Sequence, residues 1–216
     1  MASPPNRPPR GREAEAARND LRVLDAAREV FARHGADAPV SAIAAQAGVG
    51  MGTLYRRYGS KTELLQRLCV LAMEQSVDAA REGLAVDDAW QGLAGYVQTC
   101  VVFGAGALGA LAGTIETTPQ MRATSRRGRR LLTQLVERAH AAAVLRRDVT
   151  PLDVAYAIEQ LGRRSSGPDD AEQQNVRARL TAIVLAGLRT GAGAPGLPGR
   201  PPSERRYTAR WSAAED

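Results

Sequence analysis

The stretch that decides the fold is SAIAAQAGVGMGTLYRRYGSKTELL, residues 41–65. Ile43 and Ala44 provide the inward face of a first short helix. Gly48 can adopt the left-handed conformation that ends this helix, and Gly50 can start a second one. The stretch therefore predicts two short helices joined by a tight turn, which is a helix-turn-helix.

The second short helix carries the side chains expected to meet DNA. The first turn of such a helix enters the major groove, and its free N–H groups also suit a phosphate. A phenol and basic side chains further along can reach phosphates, which set the register and most of the affinity. The predicted DNA-binding residues are Ser41, Gly50, Met51, Gly52, Thr53, Tyr55, Arg56 and Lys61.

The rest of the chain is also helical in pattern. Apolar residues recur at three and four residues, and no segment alternates convincingly at period two, so we predict an all-α fold of about nine helices. Ser60, with Glu63 three residues later, predicts the start of one long helix. Thr150, with Pro151 and Asp153 after it, predicts the start of another.

The composition fits a protein of the reducing cytoplasm that binds polyanions. The formal net charge is +6, and a basic excess favours such partners. The only cysteines, Cys69 and Cys100, lie in apolar runs and are predicted to be buried free thiols. The N-terminus lacks the pattern of a signal peptide, and no apolar stretch is long enough to span a bilayer. We therefore expect a cytoplasmic protein.

A competing motif is GxGxxG at Gly104 to Gly109. It would suit an NAD(P)-dependent oxidoreductase if a strand preceded it and an acidic residue followed about 20 positions on. The preceding residues 90–99 are helical in pattern, however, and the later region carries Arg126 and Arg127 in place of an acid. Small residues that allow close helix packing, or a kink beside a cavity, are the simpler interpretation. An architectural DNA binder without a ligand is a further alternative.

Catalysis and metal binding have little support in the sequence. His34 and His140 have no cysteine or acid cluster at a recognisable spacing, and no HExxH, CxxC or GxSxG motif occurs. We expect no enzyme activity, no cofactor and no metal.

Residues 16–34 followed by IAAQAGVGMGTLYRRYGSKTELL resemble the DNA-binding domain of the TetR (tetracycline-repressor) family. The matching residues are Ile43, Ala44, Ala47, Gly48, Val49, Gly52, Thr53, Leu54, Tyr55, Tyr58 and Lys61. One departure concerns Gly50 and Met51, where the family often has Ser or Lys. The resemblance is specific over about residues 15–65.

The resemblance implies a two-part regulator. Residues 15–60 would be the DNA-binding domain and 61–190 a ligand-binding and dimerisation domain. The composition, rich in Pro and Arg at one end and in Gly, Pro and Arg at the other, separately predicts a disordered basic arm over 1–14 and a disordered tail over 191–216. The resemblance also implies a homodimer on a palindromic operator in double-stranded DNA. A mostly apolar small-molecule effector would release this repressor from DNA.

The same resemblance guides the choice of interface and pocket residues. The last two helices would pair across the dimer through Ile158, Leu161, Leu180, Ile183, Val184, Gly187 and Leu188. Helices near 61–83, 87–116 and 129–145 would enclose the ligand. The predicted ligand-binding residues are Met73, Trp90, Tyr96, Cys100, Phe103 and His140.

Overall fold

The computed structural model describes residues 10–163, 171–191 and 195–210, and these residues form an all-α fold. The predicted fold class is confirmed. The α-helices are α1 (Arg10–His34), α2 (Val40–Ala47), α3 (Met51–Tyr58), α4 (Lys61–Ala85), α5 (Ala89–Val102), α6 (Pro119–Ala141), α7 (Pro151–Leu161), α8 (Ala171–Leu188) and α9 (Glu204–Ala209). Two short 3₁₀ helices span Gly35–Asp37 and Ala107–Leu111.

Side-chain caps fix where several helices begin. The Ser60 hydroxyl accepts from the Glu63 N–H at 3.1 Å and starts α4, as predicted. Thr150 and Asp153 form the predicted capping box of α7, in which each side chain meets the other residue's backbone N–H. These signals are local, because donor and acceptor are only three residues apart.

Two apolar cores organise the described residues. The first joins α1, α2, α3 and the first half of α4, through residues such as Leu24, Ile43, Leu54 and Leu68. The second joins the rest of α4 to α5, α6, α7 and α8. The first core does not end at the predicted boundary after residue 60, since it continues along α4 to Val70.

A segment from the middle of the chain completes the first core. Leu108, Leu111, Ile115 and Met121 pack with α1 and α4, although they are some 40 residues or more beyond the helix-turn-helix. The segment between α5 and α6 thus connects the two cores directly.

The glycine run of this segment differs from the predicted helix over 87–116. Helix α5 ends at Val102, and Gly104 has a positive φ of 74° that begins a turn. A Cβ at Gly106 would collide with the backbone carbonyl of Glu159, so the run packs closely against α7. No strand precedes or follows the run within the described part of the chain, so the sheet that nucleotide binding requires is missing there.

The chain ends also differ from the prediction. The helical part of α1 begins at Arg10, inside the arm predicted to be disordered to residue 14. Residues 204–209 form α9 within the predicted disordered tail. Residues 1–9, 192–194 and 211–216 of these two predicted segments lie outside the described residues. None of the described helices is both long and apolar enough to cross a membrane.

Candidate DNA-binding surface and ligand cavity

The turn between α2 and α3 has the geometry of a helix-turn-helix. Gly48 ends α2 with a left-handed conformation, φ 68° and ψ 32°. The Val49 N–H donates to the Ala44 carbonyl at 3.0 Å, which closes the turn. Gly50 is extended, and its carbonyl accepts from Thr53 and Leu54 to open α3.

The predicted DNA-binding residues form the outer surface of this unit. Ser41, Gly50, Gly52, Thr53, Tyr55, Arg56 and Lys61 are all exposed. Met51 is the exception, because it is half-buried and packs against the first core. On the opposite side of α3, Leu54 and Tyr58 are buried and attach the helix to the core. The Met51 side chain is therefore less accessible to DNA bases than the Thr53 side chain.

A polar cluster behind α3 fixes its position on α1. Arg57 Nε donates to Asp20 Oδ1 at 2.7 Å, and the Tyr58 hydroxyl donates to the same oxygen. The Arg57 guanidinium also donates to the Ala16 carbonyl at 3.2 Å. The sequence alone leaves Arg57 as either a phosphate contact or a solvated side chain, and in the structure it links α3 to α1.

Charge compensation holds Asp20 in its ionised form. Burial raises the pKa of Asp20, but the hydrogen bonds from Arg57 and Tyr58 and the charges of Arg57 and Arg67 outweigh burial, so the pKa lies below its usual value. Burial, followed by the contact with Asp20, raises the pKa of Tyr58 to about 12. The cluster is a neutral phenol and a carboxylate paired with guanidinium.

A cavity of about 430 Å³ lies between α4, α5, α6 and α7. Its apolar lining includes Ala72, Met73, Leu108, Met121, Leu132 and Ile158, and its hydroxyl groups include those of Ser76, Thr124 and Ser125. Its charged lining residues are Arg122, Arg126, Arg129, Arg210 and Glu159. A volume of this size suits a small organic molecule.

Two of the predicted ligand-binding residues, Met73 and Tyr96, line the cavity. Burial raises the pKa of Tyr96 well above its usual value, so its hydroxyl stays neutral.

The other four predicted ligand-binding residues do not line this cavity. Trp90 is covered by Arg189, whose guanidinium lies 4.9 Å from the ring centroid. The Phe103 ring lies against Arg28, and Cys100 is fully enclosed in the second core. His140 Nε2 lies 2.9 Å from the Arg146 carbonyl oxygen, so this nitrogen already has a hydrogen-bond partner.

The sequence does not predict the part of the cavity wall formed by α9 and Arg210. Arg210 makes two hydrogen bonds to the Glu159 carboxylate, and its guanidinium lies 4.6 Å from the Tyr207 ring centroid. Tyr207 in turn packs edge-on against Tyr156 of α7. Two features of the sequence relate to this wall. They are the arginines of α6, and Tyr207 and Arg210 after Ser203.

Comparison with known proteins agrees with the helix-turn-helix. Residues 23–68 match the family model described as bacterial regulatory proteins of the tetR family. No match is found among curated proteins. A TetR transcriptional regulator from Streptomyces coelicolor is 27% identical with a TM-score of 0.57, over 80% of this chain and 99% of that chain.

Two further solved structures are similar over most of the chain. A TetR regulatory protein from Mycobacterium vanbaalenii is 27% identical with a TM-score of 0.56, over 82% of this chain and 99% of that chain. The regulator PfmR from Thermus thermophilus is 25% identical with a TM-score of 0.54, over 79% of this chain and 97% of that chain.

Residues 23–68 form a DNA-binding domain of the tetR family, and most of the chain is similar in fold to TetR transcriptional regulators. The protein is a transcriptional regulator with a DNA-binding helix-turn-helix.

The predicted dimer residues of this regulator fall into two groups. Leu180 and Ile183 are 48% and 63% exposed, and Gly187 is also exposed. Together with Val176, which is 43% exposed, they follow a spacing of four, three and four residues and share one face of α8.

The remaining predicted dimer residues are less available. Ile158 is only 5% exposed and lines the cavity, so it has no surface to offer a partner. Leu161 and Leu188 pack against the second core, and Val184 is half-buried. Periodicity alone could not separate Val184 and Leu188 from the outer face, because α8 is apolar on both sides.

The two thiols of this regulator are structural. Cys69 and Cys100 are buried and unpaired with each other, as predicted. Burial raises the pKa of each thiol to about 12. Both therefore stay protonated at neutral pH, whereas a reactive cysteine would need a thiolate.

Proposed function

We propose that this protein is a ligand-responsive repressor, which binds a palindromic operator as a homodimer and leaves it when a small molecule enters the cavity. The observation that carries the proposal is that the cavity wall and the first core have residues in common. Leu108 and Met121 line the cavity and also belong to the first core, which includes the helix-turn-helix.

This sharing supplies a physical route for a ligand to affect DNA binding. A ligand that displaces Leu108 or Met121 disturbs the packing of α1 and α4, because both residues contact the first core. The ligand changes the DNA-bound fraction only if it binds the released form more tightly than the DNA-competent form.

The operator contacts follow from the exposed face of α3. Thr53 would contact base edges, while Tyr55, Arg56 and Lys61 would contact phosphates. Ser41 and the flexible backbone at Gly50 and Gly52 would allow close approach of the phosphate chain.

The homodimer would form through the outer face of α8. Val176, Leu180 and Ile183 place exposed apolar surface on one side of the helix, and Gly187 permits close approach. A twofold dimer would present two copies of α3 about one DNA turn (~34–36 Å) apart, which requires a palindromic site.

Selection of bound fragments from the native genome tests the operator. Enriched fragments should share a twofold-symmetric sequence, and binding should exceed that of random DNA by about a thousandfold or more at physiological salt. Thr53→Ala should alter the preferred bases, whereas Thr99→Ala, at an exposed position on α5, should leave them unchanged.

The alternative outcome of this selection is equally informative. If random and genomic fragments bind equally, the protein is an architectural DNA binder and the repressor proposal is wrong.

A further inference from the structure

One face of α6 concentrates positive charge along the cavity. Arg122, Arg126 and Arg129 are spaced by four and three residues, so they share a face, and all three line the cavity. The sequence from residue 119 to 136 contains five arginines and no acid.

The acid that α7 contributes to the cavity already has cationic partners. Glu159 of α7 receives two hydrogen bonds from Arg210, at 2.9 and 2.8 Å, and Arg163 lies 3.5 Å away. Its charge is therefore compensated without the α6 arginines.

Two arginines of α6 keep hydrogen-bonding capacity. Arg126 makes no ion pair or side-chain hydrogen bond with any residue in the described ranges. Arg129 forms an ion pair with Glu204, with Nη1 2.9 Å from Oε1, but this buried nitrogen makes no hydrogen bond within the described residues. A guanidinium with an unused N–H favours a carboxylate or another anionic group.

The opposite part of the cavity is apolar. Met73 of α4, Leu132 of α6 and Ile158 of α7 line it, and the neutral phenol of Tyr96 adds one hydrogen-bonding group. The cavity therefore combines an apolar chamber with a cationic side.

We propose that the cavity binds amphipathic organic anions, with the acidic group at Arg126 and Arg129 and the apolar part against Met73, Leu132 and Ile158. As a statement about the effector, this inference rests on the proposed regulatory function. It narrows the mostly apolar effector expected from the sequence to one that carries negative charge.

Three eight-carbon probes of equal length test the charge requirement. Isothermal titration of the full chain should show octanoate binding at least about tenfold more tightly than octan-1-ol, because only octanoate makes charge-assisted hydrogen bonds to arginine. Octylamine should bind more weakly than octan-1-ol. If octan-1-ol binds as tightly as octanoate, or if octanoate does not bind, the proposal is wrong.

Paired arginine variants test the location. Arg126→Gln and Arg129→Gln should each weaken octanoate binding about tenfold and leave octan-1-ol binding unchanged. Arg130→Gln is the matched control, because Arg130 is exposed on the same helix and does not line the cavity. Since Arg126 is also exposed, its variant should fold normally. Equal losses in Arg126→Gln and Arg130→Gln would place the anion site elsewhere.

Operator binding is measured separately on the same preparations. If the wild-type protein binds its operator but does not bind octanoate, only the anion proposal is wrong. If the protein binds octanoate but prefers no DNA sequence, only the proposed regulatory function is wrong.

Discussion

Arg28 of α1 donates a hydrogen bond to Gln75 Oε1 of α4 at 2.7 Å. This bond lies where the first core, which includes the helix-turn-helix, meets the rest of the fold. The Arg28 side chain is completely buried, and its guanidinium lies 5.1 Å from the Phe103 ring centroid. Because water does not reach the Arg28 guanidinium, contacts within the protein must stabilise its charge. The hydrogen bond to Gln75 therefore fixes α1 relative to α4.

Removing the acceptor should destabilise the protein. Gln75→Ala should lower the free energy of unfolding by about 1–3 kcal/mol, since a buried guanidinium loses a hydrogen bond. Urea unfolding followed by circular dichroism measures the change. Gln134→Ala, at an exposed position on α6, should change it by less than about 0.5 kcal/mol. Equal effects of the two variants would contradict a structural role for the link.

Asp20 should make stability depend on pH in the acid range. Its pKa in the folded state lies below the usual value of 3.8, so the carboxylate stabilises the fold at pH above that value. This contribution is lost as the pH falls from above 3.8 through the folded pKa. Asp20→Asn should therefore flatten the decline of thermal stability with falling pH.

The control for this prediction is Asp37→Asn, because Asp37 is exposed and outside the Arg57–Tyr58 cluster. Its pH profile should follow the wild-type profile. A profile of Asp20→Asn that parallels the wild type would show that Asp20 does not supply the acid sensitivity.

Lys61 should contribute to DNA affinity without reading sequence. Its exposed side chain lies at the start of α4, beside α3. Lys61→Ala should weaken binding to all DNA sequences alike and reduce the slope of log affinity against log salt by about one unit. Arg81→Ala, exposed near the other end of α4, should preserve both quantities. An unchanged salt slope in Lys61→Ala would exclude a phosphate contact.

Ile183 should be needed for dimerisation. Ile183→Asp places a charge in the centre of the exposed apolar face of α8, and burying that charge in an interface is costly. Sedimentation should give a folded monomer that has lost operator binding. Ala178→Asp, also exposed but on a different face of α8, should remain dimeric. A stable dimer of the Ile183→Asp variant would place the interface elsewhere.

Arg210 should hold α9 over the cavity. Arg210→Gln removes the paired charge-assisted bonds to Glu159, and hydrogen exchange of the amides at 204–210 should become about tenfold faster. Arg205→Gln is the matched control, because Arg205 is exposed on the same helix. Unchanged exchange in Arg210→Gln would mean that the aromatic packing of Tyr207 alone holds the segment.

The sequence by itself determined the helix-turn-helix and many helix starts. Gly48, Ser60 and Thr150 act through partners three to five residues away, so the signal and the structure lie in the same short segment. The apolar periodicity also predicted the all-α class, since it depends only on the helical repeat.

Only the tertiary structure decided which apolar and charged residues meet around the cavity. Periodicity predicts which face of a helix is apolar but not which other helix covers that face. Phe103 therefore lies against Arg28, 75 residues away in the chain, while Arg210 meets Glu159, 51 residues away. Such long-range partners are selected by the packing of whole helices, which no local pattern of side chains encodes.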